Sequence, residues 1–404
     1  PTQRLADRYA TWFVPIVLAL AALTWIFTGK AWFTSGDVLR AVAVLVVACP
    51  CAMGLATPAA IMVGSGRAAE LGVLYRKGEA LERLSHVDTV VFDKTGTLTE
   101  GQPRLTDLET TGDEHHEVLA LAAAAESGSE HPLARAIVNA AQEQGLDLPE
   151  TSKFEAVPGY GVRARVGEQD VLVGAARFMQ REQVDTAEQA ERAEQFEREG
   201  KTAVFLASGG ELKAVLAIAD PLKPEASDMV AALRERGLQV AMMSGDSRNT
   251  AEAIARQVDI SEVQAEVLPD GKAAAVKSMQ EKGRKVAFVG DGINDAPALA
   301  QADVGIAVGS GTDIAIEAAD VTLTRGELRS VVTAVDAARR TMSTIRGNLF
   351  WAFIYNILLI PVATGMFYPA LGLHLNPMVA GLAMGLSSVF VVTNSLRLKR
   401  LQAY

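Results

Sequence analysis

Four apolar stretches, paired at either end of a charged middle, constrain this chain more than any other feature. Residues 12–29, 38–64, 347–368 and 371–396 are each long enough, at about 20 residues, to cross a bilayer. The second is interrupted by Cys49, Pro50, Cys51 and Pro58. In lipid every backbone polar group must be satisfied within the segment, so each stretch is expected as a helix. Four buried helices of a soluble protein are the alternative, and their length and lack of charge argue against it. Basic residues set the orientation. Arg4 and Arg8 precede the first stretch, Arg76 and Lys77 follow the second, Arg339, Arg340 and Arg346 precede the third, and Arg397, Lys399 and Arg400 follow the fourth. The opposite turns carry only Lys30, Arg40 and His374. The positive-inside rule then places both termini and the middle in the cytosol. The net charge of −10 belongs to that middle and argues for solubility and against nucleic-acid binding.

The two cysteines, Cys49 and Cys51, flank one proline. Neighbours this close in a helix cannot reach disulfide geometry without distortion. Reduced thiols with a metal-binding role are therefore expected. Proline frees a helix carbonyl, so the helix is expected to open at Cys49-Pro50-Cys51. Ionisable groups at that depth in a span are functional by default, and thiolates select soft ions such as Cu(I), while also binding Zn²⁺ and Cd²⁺. The chain begins at Pro1 with no signal peptide, so it reads as a piece of a larger protein.

Between the apolar ends, residues 65–84 read as a helical stalk. Short β-type runs follow at 89–93, 214–219, 239–243, 285–289 and 304–308, most of them separated by helical stretches such as 226–236 and 250–257. Alternating strands and helices imply a parallel sheet covered on both faces, with ligands held at the loops after its strands. The expected fold class is thus an α-helical membrane domain plus an α/β domain interrupted by an α+β insertion. The expected divisions are 1–86 for two spans and the stalk, 87–111 and 214–335 for the α/β domain, 112–213 for the insertion, and 336–404 for two more spans. The charged helix near 187–199 reads as a solvated face.

Asp93-Lys-Thr-Gly-Thr-Leu-Thr99 directly follows an apolar strand. A carboxylate at a strand's end, followed by small residues, can attack a phosphate covalently. Ser244-Gly245-Asp246 offers a hydroxyl and backbone donors, and Lys272 a positive charge for phosphoryl oxygens. Asp291 and Asp295 lie on one turn, suited together with Asp93 and Thr95 to holding Mg²⁺. Taken singly each element is weak, because a loop Asp is usually a turn former and a lone Lys a surface residue. In this order the set resembles the haloacid-dehalogenase superfamily, and the run at Asp93 resembles that of the P-type ATPases. Soluble phosphatases of that superfamily usually carry a second Asp two residues after the nucleophile. Here the position is Thr95, so no nearby base activates water and an aspartyl-phosphate should persist.

Within the insertion, Ser127-Gly-Ser-Glu-His131-Pro132 and Pro158-Gly159-Tyr-Gly161 resemble the nucleotide-binding domain of heavy-metal P-type ATPases. The resemblance implies ATP as the cosubstrate and Glu126, His131, Gly159, Gly161 and Gly174 as its contacts. The family commonly has Gly-Asn where this chain has Gly174-Ala175, which puts one contact in doubt. In the last two spans, Tyr355-Asn356 and Met384-Gly-Leu-Ser387-Ser388 accompany the Cys-Pro-Cys. This trio resembles the Cu(I) branch of the family; the Zn/Cd/Pb branch places a Lys and an Asp in those spans. Cys49, Cys51, Tyr355, Asn356, Met384, Ser387 and Ser388 are thereby implied as ligands of transported Cu(I) or Ag(I).

The resemblance implies ATP-driven export of Cu(I) through an aspartyl-phosphate on Asp93, with Mg²⁺ as cofactor. A Zn/Cd-type pump and a membrane-anchored phosphatase are the alternatives. It further implies an integral membrane protein with its soluble domains in the cytosol; the Ala-, Val- and Glu-rich composition points to a bacterial inner membrane, with an organelle membrane as the alternative. The implied partners are the lipid bilayer and a cytosolic copper chaperone or chelated Cu(I) donor. The upstream spans and an actuator domain are expected in the rest of the same protein.

Overall fold

The computed structural model describes residues 11, 15–26, 35–49, 51–112, 114–268, 271–291, 295–309, 313–367 and 375–404. They fold as two units, one from Pro1–His86, Asp320–Arg325 and Ser330–Tyr404, the other from Val87–Ala319 and Gly326–Arg329.

The first unit opens with α1 (Pro15–Ile26), α2 (Ser35–Val47) and α3 (Cys51–Glu70). Helix α2 ends just before Cys49, so the chain leaves helical geometry at the Cys-Pro-Cys as proline chemistry demands. Pro58 sits inside α3 without breaking it. The stalk expected at 65–84 is not one helix. Gly72 takes a left-handed φ of +87°, which stops α3. Strand β1 (Val73–Tyr75) follows and pairs antiparallel with Val321–Leu323, and α4 (Gly78–Ser85) comes next.

The second unit holds two sheets. Its first strand is β2 (Thr89–Asp93), after which the chain enters the inserted region. That region contains β3 (Arg104–Thr110), α5 (His115–Glu126), α6 (Pro132–Glu143), β4 (Thr151–Val157), β5 (Gly161–Val166) and β6 (Gln169–Gly174). It continues through α7 (Ala176–Arg181), α8 (Ala187–Arg198), β7 (Thr202–Ser208) and β8 (Glu211–Ala219). The strands form an antiparallel sheet in the order β3-β8-β7-β6-β5-β4. Alternate residues of β7 and β8 supply opposite faces, as the period of two requires. Val204, Leu206, Ala214 and Leu216 pack with Leu119 of α5 and Ile137 of α6. Ala203, Phe205, Val215 and Ala217 pack with Phe178 of α7 and Phe196 of α8. Residues 214–219 thus belong to this antiparallel sheet and not to the parallel one. A strand buried on both faces reads as a continuous apolar run in either kind of sheet.

The chain then returns through α9 (Ala226–Glu235), β9 (Gln239–Met243), α10 (Arg248–Gln257), β10 (Glu262–Gln264) and α11 (Lys272–Glu281). Strand β11 (Val286–Gly290), α12 (Ala296–Gln301), β12 (Val304–Val308) and α13 (Asp313–Ala318) complete it. Parallel pairing runs β12-β11-β2-β9-β10. Strand β2 is central and buried along its length, so Asp93 emerges at the middle of the sheet's carboxyl edge.

The first unit resumes with β13 (Val321–Leu323), α14 (Arg329–Ala363) and α15 (Pro377–Leu396). Among the described residues, three helical stretches are long and apolar enough to cross a membrane: Val38–Glu70, Arg329–Ala363 and Pro377–Arg400. Ends of the first, third and fourth expected spans fall at 12–14, 27–29, 368 and 371–374, outside the described residues. Leu358, Leu382, Leu386 and Val389 are exposed, which suits a lipid-facing surface.

Candidate functional site

Asp93 ends β2 with only 5% exposure. Lys272, at the start of α11, places its Nζ 2.6 Å from Asp93 Oδ1 and 2.7 Å from Asp295 Oδ1. Oxygen atoms of Asp93, Asp291 and Asp295 lie within 4.8 Å of one another. Burial and then the charge of Asp295 push the Asp93 carboxyl up from its ordinary range, against the pull of Lys272. Burial and Asp295 likewise raise Asp291 to about 6. Three carboxylates so close repel unless a cation sits among them, and a cluster of hard oxygens fits Mg²⁺.

The loop after β2 is held from several sides. Lys94 Nζ meets Asp246 Oδ2 at 2.6 Å, joining the loops that follow β2 and β9. Ser244 is buried, and its Oγ accepts the Asp246 N–H at 3.1 Å. Gly245 and Thr95 are exposed at the mouth of the site. Gly96 has φ +72°, and a Cβ there would fall inside the Asp291 carboxylate, so no other residue fits.

Two residues missed by sequence reasoning act on the same loop. Asp220 accepts the Thr99 hydroxyl at 2.6 Å through Oδ2 and the Gln102 N–H at 3.0 Å through Oδ1. Thr99 Oγ1 accepts the Gly96 N–H at 3.1 Å. Lys223 Nζ donates to the Gly96 carbonyl at 3.2 Å and is attracted by Asp291. Thr99 and Leu222 form an isolated bridge where the chain leaves and re-enters the parallel-sheet region. The signal was present as Asp220 and Lys223 close behind an apolar strand, but a charge beside a proline-rich turn reads as surface.

In the inserted region, Gly161 and Gly174 face each other across β5 and β6. A Cβ on Gly161 would overlap the Val173 carbonyl, and one on Gly174 would crowd the Tyr160 carbonyl. Gly159 has φ +77° with open space beside it. Exposed Tyr160 lies between them, with the Arg181 and Arg177 guanidinium carbons 5.1 Å and 5.5 Å from its ring centre. Glu126 is buried at the end of α5, and burial raises its carboxyl to about 7. His131 caps α6, its Nδ1 accepting the Leu133 N–H at 3.2 Å, a role that requires the neutral ring.

In the first unit, Tyr355 and Asn356 lie on α14, and Met384, Ser387 and Ser388 share one face of α15 at a spacing of three to four. Two apolar clusters bracket them. Ala43, Val44, Val47, Ala363 and Ala380 form one, and Ala52, Ala56, Ala352 and Val391 the other. Cys49, the start of α3 at Cys51, Tyr355–Asn356 and Met384–Ser388 all fall in sequence between these clusters, so three helices bring them to one level. Asn356 is 3% exposed and its Oδ1 has no hydrogen-bond donor among the described residues. Cys49 corrects the expectation of a reduced thiol, because it is disulfide-bonded, and no free cysteine occurs among the described residues. The chain has left helical geometry at Cys49, so the distortion a helix would impose on a disulfide does not arise there.

Residues 87–303 match the haloacid dehalogenase-like hydrolase family. The chain is 53% identical over 407 residues to copper-transporting ATPase 2 of Rhizobium meliloti, covering 99% of this chain and 49% of that protein. It is 50% identical over 407 residues to the copper-exporting P-type ATPase of Bacillus subtilis, covering 100% of this chain and 50% of the relative. The crystal structure of a zinc-transporting PIB-type ATPase in its E2.Pi state superposes with a TM-score of 0.77 at 36% identity, covering 98% of this chain and 64% of that one. The chain spans about half the length of the curated relatives it matches. It belongs to the haloacid dehalogenase-like hydrolase family, and within it to the P-type ATPases.

Proposed function

We propose that this chain is the catalytic and membrane core of an ATP-driven Cu(I) exporter working through an aspartyl-phosphate on Asp93. The observation that carries the catalytic half is Asp93 at the central strand's end, with Lys272 bridging it to Asp295. An Asp93 oxygen attacks the γ-phosphorus of ATP, forming the acyl-phosphate bond as the bond to ADP breaks. Asp93, Asp291, Asp295 and the backbone at Thr95 would hold Mg²⁺, which supplies charge neutralisation to the phosphoryl oxygens. Lys272 balances the phosphoryl charge, and the Lys94–Asp246 pair ties together the two loops that flank it. Ser244 and Gly245 supply a hydroxyl and a backbone donor. Thr95 offers no carboxylate to activate water, so the intermediate persists long enough to drive a conformational change.

ATP enters through the inserted region. Glu126, His131, Gly159, Gly161 and Gly174 form its adenine side, and Ala175 leaves one amide contact unmade. The functional division we assign follows the sheets: residues 87–98 with 223–319 transfer the phosphoryl group, and 104–219 bind nucleotide.

The ion reading rests on donor chemistry. Cys49 and Cys51, once reduced, offer thiolates, joined by Tyr355, Asn356, Met384, Ser387 and Ser388. A thioether with thiolates suits Cu(I) and Ag(I). From residue 347 to the end of α14, and throughout α15, no Lys, Asp or Glu occurs, which weighs against a Zn/Cd pump. The curated relatives carry copper names, and the protein would act in a bacterial inner membrane on Cu(I) delivered by a chaperone or chelator.

The test is ATPase activity and acid-stable phosphoenzyme of the full-length parent, with Cu(I), Ag(I), Zn²⁺ or Cd²⁺ under reducing conditions. Stimulation by Cu(I) and Ag(I) alone, abolished in Asp93→Asn, is the expected outcome. Stimulation by Zn²⁺ or Cd²⁺ instead would keep the pump and overturn the ion.

A further inference from the structure

We infer that Asn348 is a positioning residue: a buried amide that locks α3, α14 and α15 in the register that brings the membrane donor atoms together. The inference rests on the Cu(I) reading above. Asn348 is fully buried on α14. Its Nδ2 donates to Ser395 Oγ of α15 at 3.0 Å and to the Ala56 carbonyl of α3 at 3.4 Å. Its Oδ1 accepts from Asn394 Nδ2 at 2.8 Å. Ser395 Oγ in turn donates to the Val391 carbonyl at 2.8 Å. Both protons and the oxygen of this one amide are therefore used, by two neighbouring helices.

The placement gives the network its meaning. Ala56 follows Cys51 by five residues, Asn348 precedes Asn356 by eight, and Ser395 follows Ser388 by seven. At about 1.5 Å per residue, the network lies roughly 7–12 Å from the candidate donors on every one of the three helices. The two apolar clusters order α14 oppositely to α3 and α15, so all three displacements point the same way along the helices. The apolar layer of Ala52, Ala352 and Val391 lies between network and donors. Sliding any helix by one turn, about 5.4 Å, would strip Asn348 of its partners in an apolar surrounding and carry a donor out of reach.

The experiment measures Cu(I) affinity of the reduced full chain in lipid nanodiscs, by competition with a chromogenic chelator, together with the X-ray absorption spectrum of the bound ion. Asn348→Leu, Asn394→Leu and Ser395→Ala are compared with the unchanged chain and with Cys49→Ser. Groups bonded directly to metal ligands control about 10–100-fold in affinity, and Asn348, which touches no donor and acts through helix register, is expected to give a loss at the low end, about tenfold, with an altered copper spectrum in Asn348→Leu. Ser395→Ala and Asn394→Leu each remove one bond and should give smaller losses of the same kind. Nucleotide affinity of the variants should be unchanged, because the inserted region is untouched. Copper bound by the parent, lost in Cys49→Ser, yet unchanged in affinity and spectrum in all three variants overturns the clamp alone. A parent that binds no Cu(I) overturns the clamp together with the reading beneath it.

Discussion

Lys272 holds two buried carboxylates at once and is itself only 7% exposed. Burial works to lower its pKa, but Asp93 and Asp295 outweigh that and raise it, so it stays charged. Removing one partner of a buried pair strands the other charges, at a cost of about 3–5 kcal/mol. Lys272→Met should therefore lower metal-free stability by about that much in urea unfolding, and Mg²⁺ should restore part of it by standing in for the ammonium. No restoration by Mg²⁺ would speak against the three carboxylates as its site. Glu126 gives a pH prediction. Its folded pKa is raised from 4.5 to about 7 by burial. The neutral form is favoured in the fold, so its stabilisation is fully present below 4.5 and is lost as pH rises through about 7. A fall on the order of 3 kcal/mol across that window is expected, and Glu126→Gln should flatten it in thermal unfolding.

At the scale of elements, the crossings between the two sheets of the second unit are tied to the nucleophile loop. Leu98 accepts from the Lys223 N–H at 2.9 Å, Pro221 accepts from the Glu100 N–H at 2.9 Å, and Asp220 grips Thr99 and Gln102. Asp220→Asn and Thr99→Val should each slow phosphoenzyme formation, by about tenfold for a displaced catalytic loop, with nucleotide affinity unchanged. Because the Thr99–Asp220 bond is common to both, the double variant should lose less than the sum of the two single ones. Additive losses in rapid-quench phosphorylation would show that the bond is not the shared element. In the inserted sheet, Gly161→Ala would force β5 and β6 apart at the Val173 carbonyl. Overpacking of that kind costs about 1–3 kcal/mol, and weaker ATP binding by calorimetry should accompany it.

At the scale of the molecule, each unit carries its own core. The second unit is built around clusters centred on Phe288 and Val91, on Leu216 and Ile137, and on Phe178 and Phe196. Residues 87–319 should consequently fold when expressed alone and bind ATP with the affinity of the whole chain. Aggregation of that fragment, or a tenfold loss of affinity, would place part of the nucleotide site's support in the first unit. In the first unit the oxidised Cys49 sets a condition on any copper measurement. Cu(I) binding should appear only after reduction and vanish on reoxidation, read as chelator competition with and without a thiol reductant.

The apolar stretches, the strand-then-Asp run at Asp93, the closeness of Asp291 and Asp295, and the end of the helix before Cys49 are all legible in the sequence. Each is a local pattern: hydrophobic length, a strand's end, a proline's missing donor. The membership of residues 214–219 in the antiparallel sheet is not legible, because a doubly buried strand carries no alternation to betray its partners. Nor is the single helical stalk refuted by composition; Gly72 at φ +87° and the pairing of β1 with β13 decide it. Lys272 looks like any surface lysine until folding places it between carboxylates 179 and 23 residues away. Asp220, Lys223 and Asn348 take their meaning from partners 121, 127 and 292 residues distant. A sequence determines directly what depends on neighbouring residues, whereas a buried polar side chain takes its partner from whichever groups the packed core brings within reach.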